Sequence, residues 1–181
     1  MSSSQLLLIF LFLLASSSSP AAVLADQLQQ GLTHIHLYVH ETFAGANATA
    51  AAVVASPLGA GSSFGSVGVL DDELRAGPDR ASSQLLGRFQ GIIVGTGLKL
   101  GPGYLTSLTL VFTAGEYAGS TLSVEGPVLS FAGAIERAVV GGTGKFRLAR
   151  GYSLTKILGN PTPETGVFEV DLFVLMHPAG Y

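Results

Sequence analysis

The sequence predicts an all-β domain, a closed barrel or a sandwich of about eight or nine short antiparallel strands. Three observations carry this expectation. Across 181 residues, 24 glycines and 8 prolines punctuate the chain, so that uninterrupted stretches rarely exceed about a dozen residues. No segment shows a convincing 3.6-residue apolar period. The chain is 48% hydrophobic and only 12% charged, which provides one core and suits a barrel without exposed edges. So little charge also predicts that part of the outer surface is buried between subunits.

At the N-terminus, Leu6–Ala15 is an unbroken apolar run, followed by Ser16–Ser19, Pro20 and small residues ending at Ala25. This is the architecture of a secretory signal peptide, and it falls far short of the ~20 apolar residues that span a bilayer. Residues 1–25 are therefore expected to be removed, leaving residues 26–181 as one secreted, extracellular domain without a membrane anchor. In that compartment Asn47-Ala48-Thr49 is a glycosylation acceptor on a surface turn, whereas Asn160-Pro161-Thr162 is disqualified by its proline. Nine Lys+Arg against twelve Asp+Glu, with no basic run, argue against nucleic-acid binding through phosphates. The absence of cysteine excludes a disulfide framework, a thiolate metal site and a cysteine nucleophile.

The first expected strand, Thr33–Phe43, places Ile35, Leu37, Val39 and Glu41 on one face and His34, His36, Tyr38 and His40 on the other. A carboxylate ending a row of core-facing aliphatics is costly unless it is paired, protonated or facing a cavity. Glu41 is thus the candidate pocket acid; the alternative is a strand end in solvent. Ala50–Ala55 and Ser66–Leu70 follow, divided by the turn chemistry of Gly59–Gly61. Asp71-Asp72-Glu73 then reads as a solvated turn with a structural role. After Gly77-Pro78, Leu86–Thr96 carries Arg88 and Gln90, whose polar heads can bond that acidic cluster. Leu105–Thr113, Ser120–Val124 and Val128–Phe131 are set apart by Gly101-Pro102-Gly103, by Gly115 and Gly119, and by Gly126-Pro127. Gly141–Gly144 forms a hairpin turn before Phe146–Ile157. In the last strand, Val167–Met176, Glu169 and Asp171 lie opposite Phe168, Val170 and Leu172 as a solvated or subunit-facing pair.

Motifs of known chemistry are sparse. His34-x-His36 with Glu41 has the residue types of the first cupin metal motif. Strand parity, however, sets the imidazoles and the carboxylate on opposite faces, and His177 has no second motif around it, so no metal is expected. Gly142-Thr143-Gly144-Lys145 lacks the upstream glycine spacing of a phosphate loop, and Phe146 follows the lysine. Neither a G-x-S-x-G elbow nor a dinucleotide fingerprint occurs.

Four segments occur in order: His36-Leu37-Tyr38-Val39-His40-Glu41, Gly65–Asp72, Gly87-Arg88-Phe89-Gln90-Gly91 and Val139–Tyr152. Together, over roughly Thr33 to Met176, they resemble the plant dirigent proteins. The resemblance implies an eight-stranded antiparallel barrel related to allene oxide cyclase, an apoplastic location, and a homo-oligomer, dimer or trimer, with one pocket per barrel. It implies a cofactor-free protein without a redox centre, which guides rather than performs the oxidation. A separate laccase or peroxidase makes phenoxy radicals from monolignols such as coniferyl alcohol, and the dirigent protein directs their stereoselective coupling in lignan biosynthesis. By position, Glu41 replaces the aspartate of a His-Asp pair. Ile93 and Gly95 fall where lignan-forming relatives have pocket tyrosines. Glu125 is the counterpart sought for a second pocket aspartate, and Ile135 stands at an arginine position for which Arg137 compensates. Asp71, Asp72, Arg88, Gln90, Gly141, Gly142 and Gly144 take structural roles. The less polar pocket these differences imply opens two alternatives: a lipocalin-like carrier of a small apolar ligand, or a cofactor-free cyclase acting on another phenolic or terpenoid substrate.

Overall fold

The computed structural model describes residues 31–98 and 103–177; the expected signal peptide, residues 1–25, lies outside them. Within the described residues the strands are β1 Leu32–Thr42, β2 Ala50–Val54, β3 Val67–Arg75, β4 Leu85–Gly95, β5 Tyr104–Phe112, β6 Thr121–Val128, β7 Ile135–Thr143, β8 Arg150–Gly159 and β9 Thr165–Leu175. From β3 to β9 each strand pairs antiparallel with the next, and β1 joins β9. The ring closes on β3, which pairs with β1 near one end (Val39↔Leu74) and with β2 near the other (Ala50↔Leu70). With β1 and β2 counted as one interrupted stave, the sheet is the eight-stranded antiparallel barrel that the sequence resemblance implies.

Four elements differ from expectation, each for a physical reason. The strand expected to stop at Leu70 runs on to Arg75, because every acid of the cluster finds a partner. Arg88 and Gln90 donate to Asp71, Arg75 and Arg80 donate to Glu73, and Thr49 donates to Asp72. Asp71-Asp72-Glu73 is therefore strand, not a solvated turn. The expected turn at Gly126-Pro127 is absent and β6 is continuous. Its pairing with β7 ends at Glu125↔Ala138 while pairing with β5 continues to Tyr104↔Val128, so the proline, which has no N–H, sits where β6 has only one partner. Ile135, Arg137 and Val139 alternate inward along β7, a strand outside the expected set; it runs through Gly141, Gly142 and Thr143, so the hairpin turn expected at Gly141–Gly144 is mostly strand. The segment Phe146–Ile157 begins instead with a single 3-10 turn, Gly144–Phe146, before β8.

That turn is built by the glycines beside it. A Cβ on Gly142 would lie 2.2 Å from the Thr121 carbonyl oxygen and 2.6 Å from Phe146 Cβ, and Gly144 adopts φ +60° against Ser120. Gly142→Ala is expected to lower stability by roughly 1–3 kcal/mol, read as a drop in thermal midpoint; an unchanged midpoint would contradict this close packing.

The interior is divided along the barrel axis. At one end Leu37, Leu110, Leu122, Leu172, Val174 and Phe146 are buried and fill the lumen. Phe146 packs against Tyr117 and Phe112, with ring centroids 4.9 and 5.5 Å away, and plugs that end. Toward the other end the inward side chains shorten or turn polar (Ala50, Thr106, Gly68, Ser66), and the lumen opens into a cavity.

Candidate functional site

The cavity measures about 460 Å³, the size of a site for a small organic molecule. Its walls are mainly apolar: Val39, Leu70, Phe89, Ile93, Leu108 and Val128 from the strands, with Phe43, Phe131 and Phe168 adding aromatic surface. Tyr104, at the start of β5, supplies a phenol and packs 6.2 Å from Phe131, centroid to centroid.

Two carboxyl groups enter this apolar space side by side. Strand alternation carries Glu41 inward after Ile35, Leu37 and Val39, as the sequence predicts. On β3 the same alternation turns Leu70, Asp72 and Leu74 inward while Asp71 faces out. Asp72 is only 1% exposed, and the Thr49 hydroxyl donates to its Oδ1 at 2.5 Å. That hydroxyl in turn accepts from the Thr42 N–H at 2.9 Å, so the loop between β1 and β2 fixes the position of the acid. Burial pushes the Asp72 carboxyl up to about 7, overcoming the Thr49 hydrogen bond, and the negative charge of Glu41 adds to the rise. Burial likewise raises Glu41 above the usual carboxylate range. An acid in this state can donate a proton near neutral pH.

The opposite wall carries a cation. Arg137 on β7 is buried; its Nε donates to Thr106 Oγ1 at 2.8 Å and its Nη1 to Thr155 Oγ1 at 3.1 Å. Burial lowers the guanidinium to about 10, which leaves it charged at neutral pH. None of the ion pairs found among the described residues includes it. β3 and β7 are four staves apart in a ring of eight, so Asp72 and Arg137 face each other across the cavity. A guest between them meets a proton donor on one side and a cationic hydrogen-bond donor on the other, with oil-like walls between.

The residues singled out from the sequence divide cleanly. Glu41, Ile93, Ile135 and Arg137 line the cavity. Glu125 does not: it is exposed on the outside of β6 and accepts from Ser107 Oγ at 2.8 Å, so it is no pocket acid. Gly95 is buried but faces the loop beyond β2, where a Cβ would lie 1.6 Å from the Ser63 carbonyl oxygen. Asp71, Arg88 and Gln90 form the external pairing expected of them, with Arg88 Nε–Asp71 Oδ1 at 2.7 Å. Asn47 is exposed in a turn between β1 and β2. Two ionisable cavity residues escaped the sequence reading. Asp72 was assigned a structural role, although the parity Leu70, Asp72, Leu74 was the available signal. The phenol missing from Ile92–Gly95 arrives from Tyr104, which pairs directly with Gly95.

Comparison with known proteins gives a consistent picture. Residues 32–175 match the family described as "Dirigent-like protein". The chain is 38% identical over 149 residues to Dirigent protein 21 of Arabidopsis thaliana, an alignment covering 79% of this chain and 76% of that one. It is 35% identical over 151 residues to Pterocarpan synthase 1 of Glycyrrhiza echinata, covering 81% and 79%. Among solved structures it is similar to the pterocarpan synthase dirigent protein GePTS1, with a TM-score of 0.73 at 35% identity over 83% of this chain and 87% of that chain.

Proposed function

Because this chain belongs to the dirigent family, we propose that its cavity holds a phenolic guest in one pose and directs a proton-assisted ring closure to one stereoisomer. The observation that carries this reading is Asp72, an acid that burial raises to about 7, so that it holds a transferable proton near neutral pH inside an apolar cavity, faced by Arg137. Similarity to proteins named pterocarpan synthases supports ring closure as the reaction class.

The step is written for a hydroxybenzyl alcohol that carries an internal hydroxyl. Arg137 receives the phenolic oxygen, whose proton leaves to solvent through the open end. Asp72 donates a proton to the benzylic hydroxyl, the C–O bond breaks with the bonding pair, and water departs. The resulting quinone methide takes the internal hydroxyl at its exocyclic carbon; that hydroxyl's proton returns to Asp72, and the phenolate oxygen recovers one from solvent. One water is lost and no electrons are exchanged with an oxidant. Fixing the guest decides which face is closed, and about 1.4 kcal/mol between the two transition states already gives a tenfold preference.

A second reading follows from the same chamber and from the relatives named simply as dirigent proteins: orientation of two monolignol-derived phenoxy radicals supplied by a separate laccase or peroxidase. Secretion to the apoplast, glycosylation at Asn47 and a homo-oligomeric assembly belong to the proposal in either form.

Chiral chromatography separates the readings. Ring-closed product in enantiomeric excess from the hydroxybenzyl alcohol supports the first; enantioenriched dimers from coniferyl alcohol plus a one-electron oxidant support the second. Racemic products at the buffer rate in both assays, with the guest tightly bound, would leave only a lipocalin-like carrier. Glu41→Gln removes the charge that helps hold Asp72 protonated. It is expected to retain binding and to move the alkaline fall of the pH–rate profile to lower pH; an unmoved profile would remove Glu41 from the acid pair.

A further inference from the structure

The outer face of the barrel carries a second constellation, separate from the cavity. His34 and His36, two residues apart on β1, project to the same side and meet Asp171 on the adjoining β9. His34 Nε2 and His36 Nδ1 each lie 2.8 Å from the same atom, Asp171 Oδ1, and the three ligand atoms fall within 4.8 Å of one another. We propose that this cluster binds one divalent transition-metal ion, represented by Zn²⁺, through His34 Nε2, His36 Nδ1 and the Asp171 carboxylate.

Two imidazoles and one carboxylate, with water in the fourth position, are a donor set suited to Zn²⁺ rather than to Mg²⁺ or Ca²⁺. A tetrahedral ion with bonds of about 2.0–2.1 Å sets its ligand atoms roughly 3.3 Å apart. The present separation from each nitrogen to the carboxylate, 2.8 Å, is about 0.5 Å shorter than that spacing, so coordination requires these side chains to part by that amount.

The surroundings hold the rings in place. His36 presents its other nitrogen, Nε2, to the Tyr38 hydroxyl at 2.8 Å, an outer contact of the kind that orients metal-binding histidines. His34 stacks on Phe173 at 4.7 Å and 9°, and Phe173 stacks on Tyr152 at 4.9 Å. Coordination requires the two facing nitrogens to be unprotonated. In His36 the ring proton then sits on Nε2 and donates to Tyr38 Oη, so no proton is stranded. Glu169 Oε1 lies 3.8 Å from His36 Nε2 and adds negative charge, partly offset by Lys156 Nζ, 3.8 Å from Glu169. The parity that separates His34 and His36 from Glu41 holds; the carboxylate that joins the imidazoles comes instead from a strand 135 residues further along the chain.

Isothermal titration of the tag-free chain with ZnCl₂ is expected to show one saturable site, weakened at least about tenfold in Asp171→Asn and His36→Ala. Wild type should gain about 5–10 °C in thermal midpoint at a hundredfold excess of Zn²⁺ over its dissociation constant, and Asp171→Asn should gain far less. In imidazole NMR spectra the resonances of His34 and His36 should move and those of His40, buried with Nε2 on the Gly77 carbonyl oxygen, should not. No saturable binding, equal binding by Asp171→Asn, or a response confined to His177 would overturn the site. The readouts are independent of product formation, so their failure leaves the reading of the cavity untouched.

Discussion

Asp72→Asn is expected to slow ring closure by roughly 10²–10⁴-fold, the usual loss when a positioned proton donor is removed, while the guest still binds. Asparagine keeps the shape and can still accept the Thr49 hydroxyl proton, but it has no acidic proton to give. The same substitution should stabilise the chain at alkaline pH. The folded-state value of Asp72, about 7, lies above the ordinary 3.8. Between those values the folded chain keeps a proton that the unfolded chain has released, so stability falls as pH rises through that window. At pH 8 the wild-type carboxylate is buried and charged, at a cost on the order of a few kcal/mol. The variant should therefore melt above wild type at pH 8 and lose that advantage near pH 4. Product assays and thermal scans at the two pH values check both halves; retained turnover, or a constant difference in melting temperature, would contradict the assignment.

Phe146→Ala is expected to have the largest effect on stability. The ring is wholly buried between Phe112 and Tyr117, in a layer already filled by Leu110 and Leu122. Its removal leaves a void that the adjacent backbone, locked by Gly142 and Gly144, closes poorly. A loss of about 3–5 kcal/mol follows, equal to a fall of roughly 6–20 °C in thermal midpoint for a chain of this size. Because the plug and the cavity occupy opposite ends of the lumen, the stereochemical outcome per folded molecule should be preserved. Differential scanning calorimetry and enantiomeric excess measured at low temperature test the two statements. A small loss of stability, or an altered product ratio, would show that the plug and the chamber are not separate layers.

Much of this arrangement was legible in the sequence, and what was not has an identifiable cause. The inward row Ile35, Leu37, Val39, Glu41 needed only the two-residue period of a strand. Arg88 and Gln90 were matched to the acidic cluster by chemistry alone, and the segment Val139–Tyr152 carried the family resemblance. Asp72 was hidden because three consecutive acids look like solvent-facing turn. The group that makes its burial tolerable, Thr49, lies 23 residues away and becomes its neighbour only through the pairing of β2 with β3. β7 was hidden by its glycines: Gly141 and Gly142 look like a turn but end a strand, whose inward Arg137 is held by Thr106 and Thr155 from two other strands. Tyr104 escaped because only the cross-strand register places it beside Gly95. Local pattern thus found the side chains whose direction is set within one strand, and missed those made stable by contacts across the ring.

The central claim is that the apolar chamber raises the Asp72 carboxyl so far that it titrates near neutral pH. A ¹³C NMR titration of the aspartate side-chain carboxyls, with the Asp72 resonance assigned by its absence in Asp72→Asn, tests it most directly. A midpoint close to 7 is the predicted result; a midpoint near 4, typical of aspartate in water, would contradict it.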